Sequence, residues 1–250
     1  MKTVLNHPLT EDEAALGWLG QAGYIVRSAG LTVVIDPYLT DSAAGPKGDF
    51  TRLFPPPLTP EELVADVFVI THDHGDHLDP ATLTRLDKRR TPAFIAPRHT
   101  AQRLRELGVP NVCVVEAGDE WKHGALTVRG VFALPTGADV LDTTGYLLTF
   151  ANGRSVDHTS DTAFHPLVLA AAPREPEVML VPINGKWGNP NPEQAMELTA
   201  AVRPRFVLPN HYDLMALNAE NPETFRWLCQ HRDLPSRCHI ARRMEPFCWH

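Results

Sequence analysis

The order of apolar runs predicts an α/β fold in which two β-sheets pack face to face with helices on their outer faces. Three observations lead there. The first fifty residues read as a meander of short strands; a strand, loop, helix alternation follows as far as Val115; and from Leu126 a second group of strands begins, again passing into strand and helix alternation. Side chains able to bind metal stand at the ends of several of these strands, so a sheet edge can gather ligands distant in sequence.

Each element has a local reason. The opening strands are 15–19, 24–26 and 31–35, parted by glycine-containing turns such as Ser28-Ala29-Gly30. The third runs into Asp36-Pro37, where proline stops the strand and the carboxylate either marks a functional loop edge or caps the next turn. The Pro-rich stretch from Phe54 to Pro60 is short and leads straight to an apolar strand, so it reads as a surface loop, and one domain over residues 1–250 is expected. After the strand 67–71, Asp79 is placed to cap a helix that opens at Pro80 and extends to Leu86. The strand 93–96, a loop Pro97-Arg98-His99 and a helix from Thr100 to Leu107 repeat the pattern, before a strand at 112–115. The second sheet is expected from strands 126–134, 145–150 and 155–156, with Asn152-Gly153 signalling a two-residue hairpin turn. A strand at 178–182, a helix from Pro192 to Val202, a strand at 206–208 and a helix from Pro222 to Cys229 follow.

Composition narrows the function. A formal charge of −7 argues against a protein whose main partner is a phosphate backbone, and the clusters Lys88-Arg89-Arg90 and Arg242-Arg243 read as helix ends or solvated faces. Nucleic acid is therefore not an expected partner. Four cysteines without C-x-x-C spacing give neither a thiolate zinc site nor a redox pair, and reduced thiols are expected. The N-terminus lacks an apolar run of signal-peptide length, and no segment approaches the roughly 20 apolar residues of a membrane span. A cytoplasmic protein with no membrane contact is expected.

The run Thr71-His72-Asp73-His74-Gly75-Asp76-His77 follows the apolar stretch Val67 to Ile70 directly. A solvated turn gains nothing from crowding so many partly titrating groups, whereas imidazole nitrogens and carboxylate oxygens together suit Zn²⁺, Mn²⁺ or Fe²⁺. Two further candidates arrive much later, each after a strand: Asp161 in His158-Thr159-Ser160-Asp161-Thr162, and His211 in Leu208-Pro209-Asn210-His211-Tyr212.

An H-x-H-x-D-H loop behind a buried strand, with a late Asp and a late His, resembles the metallo-β-lactamase fold, a four-layer αββα sandwich of two mixed sheets. Gly17-Trp18-Leu19-Gly20 and Asp36-Pro37 resemble its opening hairpins. The branch containing L-ascorbate-6-phosphate lactonase is the most similar in its motifs: a Trp-Leu-Gly opening, a Thr-His-Asp-His-x-Asp-His loop and a late Pro-x-His-x-Asp segment. The resemblance implies that His72 and His74 hold a first metal, Asp76, His77 and His211 a second, that Asp161 bridges them, and that Asp36 orients a ligand histidine. It also favours a homo-oligomer. Two departures stand out. Many relatives supply a further histidine after the strand ending near Leu134, where this chain reads Pro135-Thr136-Gly137-Ala138-Asp139, so Thr136 or Asp139 substitutes or the first site stays incomplete; one or two divalent ions are thus open. Ser160 also stands where relatives carry glycine.

The expected activity is hydrolysis by a metal-activated water, on a small-molecule lactone or ester such as a phosphorylated sugar lactone, with Asp76 or Asp161 positioning the water. Zn²⁺ and Mn²⁺ fit the donors equally, and Fe²⁺ is compatible. A phosphodiesterase or nuclease is the alternative, and a non-catalytic scaffold with a degraded site the second. His158 is a candidate for supporting the site from behind. Arg98, His99, Thr136, Lys186 and Trp187, the last two on the loop Asn184 to Asn189, are candidates for substrate contact.

Overall fold

The computed structural model of the chain describes residues 3–45, 47–87 and 92–250, so the Lys88-Arg89-Arg90 cluster lies outside the described residues. The first half lays down β1 (Ala14–Gly20), β2 (Gly23–Ser28), β3 (Leu31–Ile35), β4 (Val67–Val69), α1 (Pro80–Leu83), β5 (Ala93–Ala96), α2 (Arg98–Glu106) and β6 (Val112–Val114). The second lays down β7 (Glu120–His123), β8 (Leu126–Phe132), β9 (Thr144–Phe150), β10 (Ser155–His158), α3 (Pro166–Ala171), β11 (Val178–Pro182), α4 (Pro192–Val202), β12 (Phe206–Asn210), α5 (Pro222–His231), β13 (Arg237–Cys238) and β14 (Phe247–Trp249).

Two seven-stranded sheets result, in the orders β14-β1-β2-β3-β4-β5-β6 and β13-β12-β11-β10-β9-β8-β7. Both are mixed, because each begins as an antiparallel meander and continues as parallel strands: β3 to β6 are parallel in one, β10 to β13 in the other. Alternation along the strands sorts side chains between the two faces. Leu16, Tyr24, Val26, Val33, Ile35, Val67, Val69 and Ile95 join residues of the second sheet in the central core. Their neighbours Ala15, Ile25, Val34, Phe68, Phe94 and Ala96 pack outward with Leu83 of α1 and Ala101 and Leu104 of α2. This is the sandwich that the sequence predicts. No helix among the described residues is long and apolar enough to cross a membrane.

Several boundaries differ from expectation. Arg98 and His99 are the first residues of α2 rather than loop, because Asp142 supplies the acceptor that Pro97 cannot: its carboxylate takes the His99 N–H at 2.5 Å and the Thr100 hydroxyl at 3.0 Å. The β9–β10 hairpin is longer than a two-residue turn. Gly153 N–H returns to Phe150 O at 2.8 Å with Gly153 at φ 85°, while Phe150 N–H bonds Arg154 O, the pattern of a turn closed by a left-handed glycine. β4 and β8 stop earlier than their apolar runs, at Val69 and Phe132, freeing the residues beyond to form the site loops.

Candidate metal centre

Every metal-binding candidate sits beyond the C-terminal end of a strand, at one edge of the sandwich: Asp36 after β3, the His72 to His77 loop after β4, Asp161 after β10 and His211 after β12. The loop after β4 coils on itself, with the N–H groups of His77 and Leu78 both donating to His74 O at 3.0 and 2.8 Å. That turn brings His72, His74, Asp76 and His77 to one side.

Asp36 organises the loop from beneath. It is fully buried, at φ 43°, and its carboxylate accepts the Thr71 N–H (2.8 Å), the Thr71 hydroxyl (2.7 Å) and His77 Nδ1 (2.7 Å). With Nδ1–H spent on Asp36, Nε2 is the His77 nitrogen that faces the cluster. Thr71 passes the same constraint on. Its hydroxyl hydrogen goes to Asp36, so its oxygen accepts from His72 Nδ1 at 3.0 Å, and His72 Nε2 is left facing His74 Nδ1 at 3.0 Å.

Two donor clusters form. His72, His74 and Asp161 make one; Asp76, His77 and His211 make the other, with the ligand atoms of each within 4.8 Å of one another. Asp161 lies between them, its Oδ1 3.6 Å from His77 Nε2 and its Oδ2 3.1 Å from His211 Nε2. The donors fit a cation. His77 Nε2 and Asp161 Oδ1 are both buried without a hydrogen-bond partner in the protein, a costly arrangement unless something else satisfies them.

Electrostatics separate the clusters. Burial, helped by neighbouring His77, holds the His72 imidazole well below its usual range and therefore neutral. Burial opposes the charged form of His77 as well, but Asp161, Asp76 and Asp36 outweigh it and lift His77 to about 10. His211 is raised in the same way, burial being overcome chiefly by Asp161. Asp161, despite burial, is held well below the carboxylate range by His211 and His77.

Residues without metal-binding chemistry complete the centre, and the sequence does not announce them. Gln21, fully buried at φ 52° in the β1–β2 turn, donates from Nε2 to Asp76 Oδ2 at 2.7 Å, and its backbone O accepts the His211 N–H at 3.0 Å. Asn189 donates to Asp161 Oδ2 at 2.8 Å, and Asn218 Nδ2 approaches His211 Nδ1 at 3.4 Å. Amides inside turns look like turn formers until the chain is folded.

The remaining candidates divide. His158 does not face the donors: Nε2 donates to Ala22 O at 2.9 Å and Nδ1 accepts the Ser160 N–H at 3.1 Å, so it props the backbone that presents Asp161. Ser160 holds φ 62°, the conformation that glycine would adopt freely, and its hydroxyl meets Thr143 Oγ1 at 2.8 Å. Thr136 and Trp187 line a cleft of about 500 Å³ over the donors, with Ala43, Phe50, Gly137, Asp139 and Met215; Lys186, one residue from Trp187, is not part of that lining. Arg98 is turned to Glu116 in a two-point ion pair of 2.8 and 3.2 Å, and His99 Nε2 faces Asp73 at 3.3 Å; neither lines the cleft. Where a further histidine is missing, Pro135 to Asp139 brings Asp139 Oδ2 to 3.4 Å from His74 Nε2. That is the ring nitrogen remote from His72, so Asp139 faces the outer side of the His74 ring.

Two mixed sheets with paired nitrogen and oxygen donor clusters at their strand ends define a class of metal-binding α/β sandwich. Residues 32–212 match the beta-lactamase superfamily domain, and the chain belongs to that superfamily. It is 30% identical over 221 residues to the UPF0173 metal-dependent hydrolase of Archaeoglobus fulgidus, covering 84% of this chain and 87% of the relative. A second relative, the UPF0173 metal-dependent hydrolase MK1542 of Methanopyrus kandleri, is 28% identical over 218 residues, 84% of this chain and 88% of that one. Among solved structures the fold is similar to Igni18, a metallo hydrolase from Ignicoccus hospitalis (TM-score 0.77, 22% identity, 95% of this chain and 99% of that one). It is also similar to an isothiocyanate hydrolase from Delia radicum gut bacteria (TM-score 0.76, 18% identity, 93% and 98%). CmlA, a diiron β-hydroxylase from Streptomyces venezuelae, shares it too (TM-score 0.70, 18% identity, 98% of this chain and 55% of that one), so the fold by itself does not choose the reaction.

Proposed function

We propose that the protein is a metal-dependent hydrolase that opens a small-molecule lactone or ester with an activated water. The observation that carries this is Asp161, a buried carboxylate of one donor cluster that stands 3.1 Å from His211 and 3.6 Å from His77 of the other, at the floor of an open cleft. The names of the relatives, metal-dependent hydrolases, support the reaction class. A bound divalent cation, Zn²⁺ or Mn²⁺ with Fe²⁺ also compatible, polarises a carbonyl oxygen and lowers the pKa of water.

The chain's own residues do the rest. His72, His74, Asp76, His77, Asp161 and His211 would hold the cation or cations; Asp36, Gln21 and Asn189 fix the orientation of His77, Asp76 and Asp161. Asp161, at the floor of the cleft beside both donor clusters, would align the attacking water next to the cation. The water oxygen bonds to the carbonyl carbon, the ester C–O bond breaks, and the proton released by the water is passed through Asp76 or Asp161 to the departing oxygen. No Ser or Cys nucleophile is required. The phosphodiester alternative draws no support from the cleft, where no Lys or Arg is found among the described lining residues.

Metal-depleted protein assayed on a lactone and ester panel, with and without added Mn²⁺ or Zn²⁺, tests the reading. Hydrolysis that returns only with metal is expected; turnover unchanged after metal removal would refute it.

A further inference from the structure

The cleft has an aromatic rim. Trp187 remains 48% exposed, with its ring centroid 5.7 Å from that of Phe50 at an angle of 48°. A tryptophan left half in water offers an apolar face for a ligand to cover, and here the surrounding chain holds it in place.

The turn that carries Trp187 is tightly built. Gly185, Trp187 and Gly188 all take positive φ (60°, 50° and 95°), and the turn is closed by Gly185 N–H to Pro190 O at 3.0 Å and Asn189 N–H to Lys186 O at 2.9 Å. A Cβ on Gly188 would stand 3.0 Å from Thr136 O, so the turn packs directly on the Thr136 segment of the cleft. Two residues beyond Trp187, Asn189 bonds Asp161 Oδ2. Rim and donor centre therefore belong to one braced unit. The Phe50 side is anchored as well, by Arg52 N–H to Asp41 Oδ1 at 2.9 Å and Leu53 N–H to Leu214 O at 2.7 Å.

Charge on the walls is one-sided. Apart from the imidazoles of His74 and His211, the ionisable groups among the described lining residues are the carboxylates of Asp76, Asp139 and Asp161, and the Asp139 side chain is 78% exposed. Arg52, two residues beyond Phe50, is turned to Tyr38 O at 2.8 Å, Phe54 O at 3.2 Å and the Tyr38 ring at 5.0 Å, and neither it nor Lys47 lines the cleft. Among the described lining residues a phosphate carried away from the reacting carbon would meet the Asp139 carboxylate and no Lys or Arg side chain.

We propose, resting on the hydrolase reading, that the substrate carries an uncharged, flat apolar group, an aromatic ring, that seats against Trp187 and Phe50 while its ester or lactone carbon faces Asp161. Phosphorylated lactones are disfavoured by the same walls. Trp187 and Phe50 are then specificity-determining residues for this site.

The metal-loaded protein is tested on dihydrocoumarin, a neutral aromatic lactone, and on 6-phosphogluconolactone, each kcat/KM being divided by the uncatalysed rate. The normalised value should favour dihydrocoumarin by at least about tenfold, and Trp187→Ala should raise its KM about tenfold while Trp187→Phe restores most of it. Preference for the phosphorylated lactone, or an unchanged KM in Trp187→Ala, overturns the inference. If neither lactone is hydrolysed, the hydrolase reading fails on these substrates, and binding decides the inference by itself: calorimetric titration with benzamide against glucose 6-phosphate. Benzamide binding that Trp187→Ala abolishes upholds it; glucose 6-phosphate binding alone, or neither, overturns it.

Discussion

The two donor clusters share Asp161 and little else. Asp76, His77 and His211 are braced by buried groups, Asp36 behind His77, Gln21 against Asp76 and Asn218 beside His211. His72 and His74 are braced unequally: Thr71 fixes His72 from within, while His74 leans on Asp139 at the cleft mouth and is itself 29% exposed. A buried, multiply bonded ligand loses little freedom on binding metal, whereas one held by a solvated carboxylate must be ordered at that moment. The difference teaches that the cluster next to the missing histidine is the less braced half, and it predicts weaker metal binding there.

The largest effect should come from the group the halves share. Asp161→Ala should lower turnover at least about a thousandfold and reduce metal content in both clusters, with far-UV circular dichroism unchanged. His74→Ala should also abolish turnover but leave the deeper cluster able to bind metal. Full activity in either variant would break the comparison.

The orienting carboxylates sharpen it. Asp36→Asn should weaken the tighter metal-binding step about 10- to 100-fold, because His77 loses the acceptor that fixes its tautomer. Asp139→Asn should change only the weaker step, by less than about tenfold, since water competes for the same contact. Competition with a chromophoric chelator reads both. A larger effect at Asp139 than at Asp36 would reverse the assignment of the deeper site.

Proton linkage gives a third distinction. In the metal-free protein His77 lies at about 10 and His211 is raised, so metal entering that cluster must displace protons, while His72 is already neutral. Affinity of the deeper cluster should therefore rise with pH more steeply than that of the other. For folding the sign is opposite. A histidine raised from 6.5 to about 10 contributes stability that is complete below 6.5 and is lost as pH climbs through 10, so the melting temperature of metal-free protein should fall over that window. Melting curves of metal-free and metal-loaded protein from pH 6.5 to 10 check it. The smallest effect belongs outside both clusters: Arg98→Ala removes a solvated ion pair with Glu116 and should leave kcat/KM and melting temperature within error.

Much of this centre is legible in the residues. Metal chemistry needs nitrogen and oxygen donors crowded together, and His72 to His77 crowd them within one loop, so the loop, its late partners and the sandwich that gathers them can be read in advance. The bracing cannot. Gln21, Asn189 and Asn218 act through position, not through a distinctive side chain, and nothing local to Pro97 reveals that Asp142, 43 residues after His99, starts α2. β7 was hidden by its mostly exposed, polar pattern, and β13 and β14 by their brevity and by partners far along the chain. The residues around Pro135 leave open whether Thr136, Asp139 or neither completes the first cluster, because sequence shows proximity to the gap but not which ring nitrogen of His74 a neighbour meets.

Stepwise metal binding tests the central claim most directly. Metal-free protein titrated with Zn²⁺ or Mn²⁺ in a calorimeter should take up two ions in unequal steps, the tighter lost in His211→Ala and the weaker lost in His74→Ala. Two equal steps, or a tighter step that survives His211→Ala and disappears in His74→Ala, would contradict it.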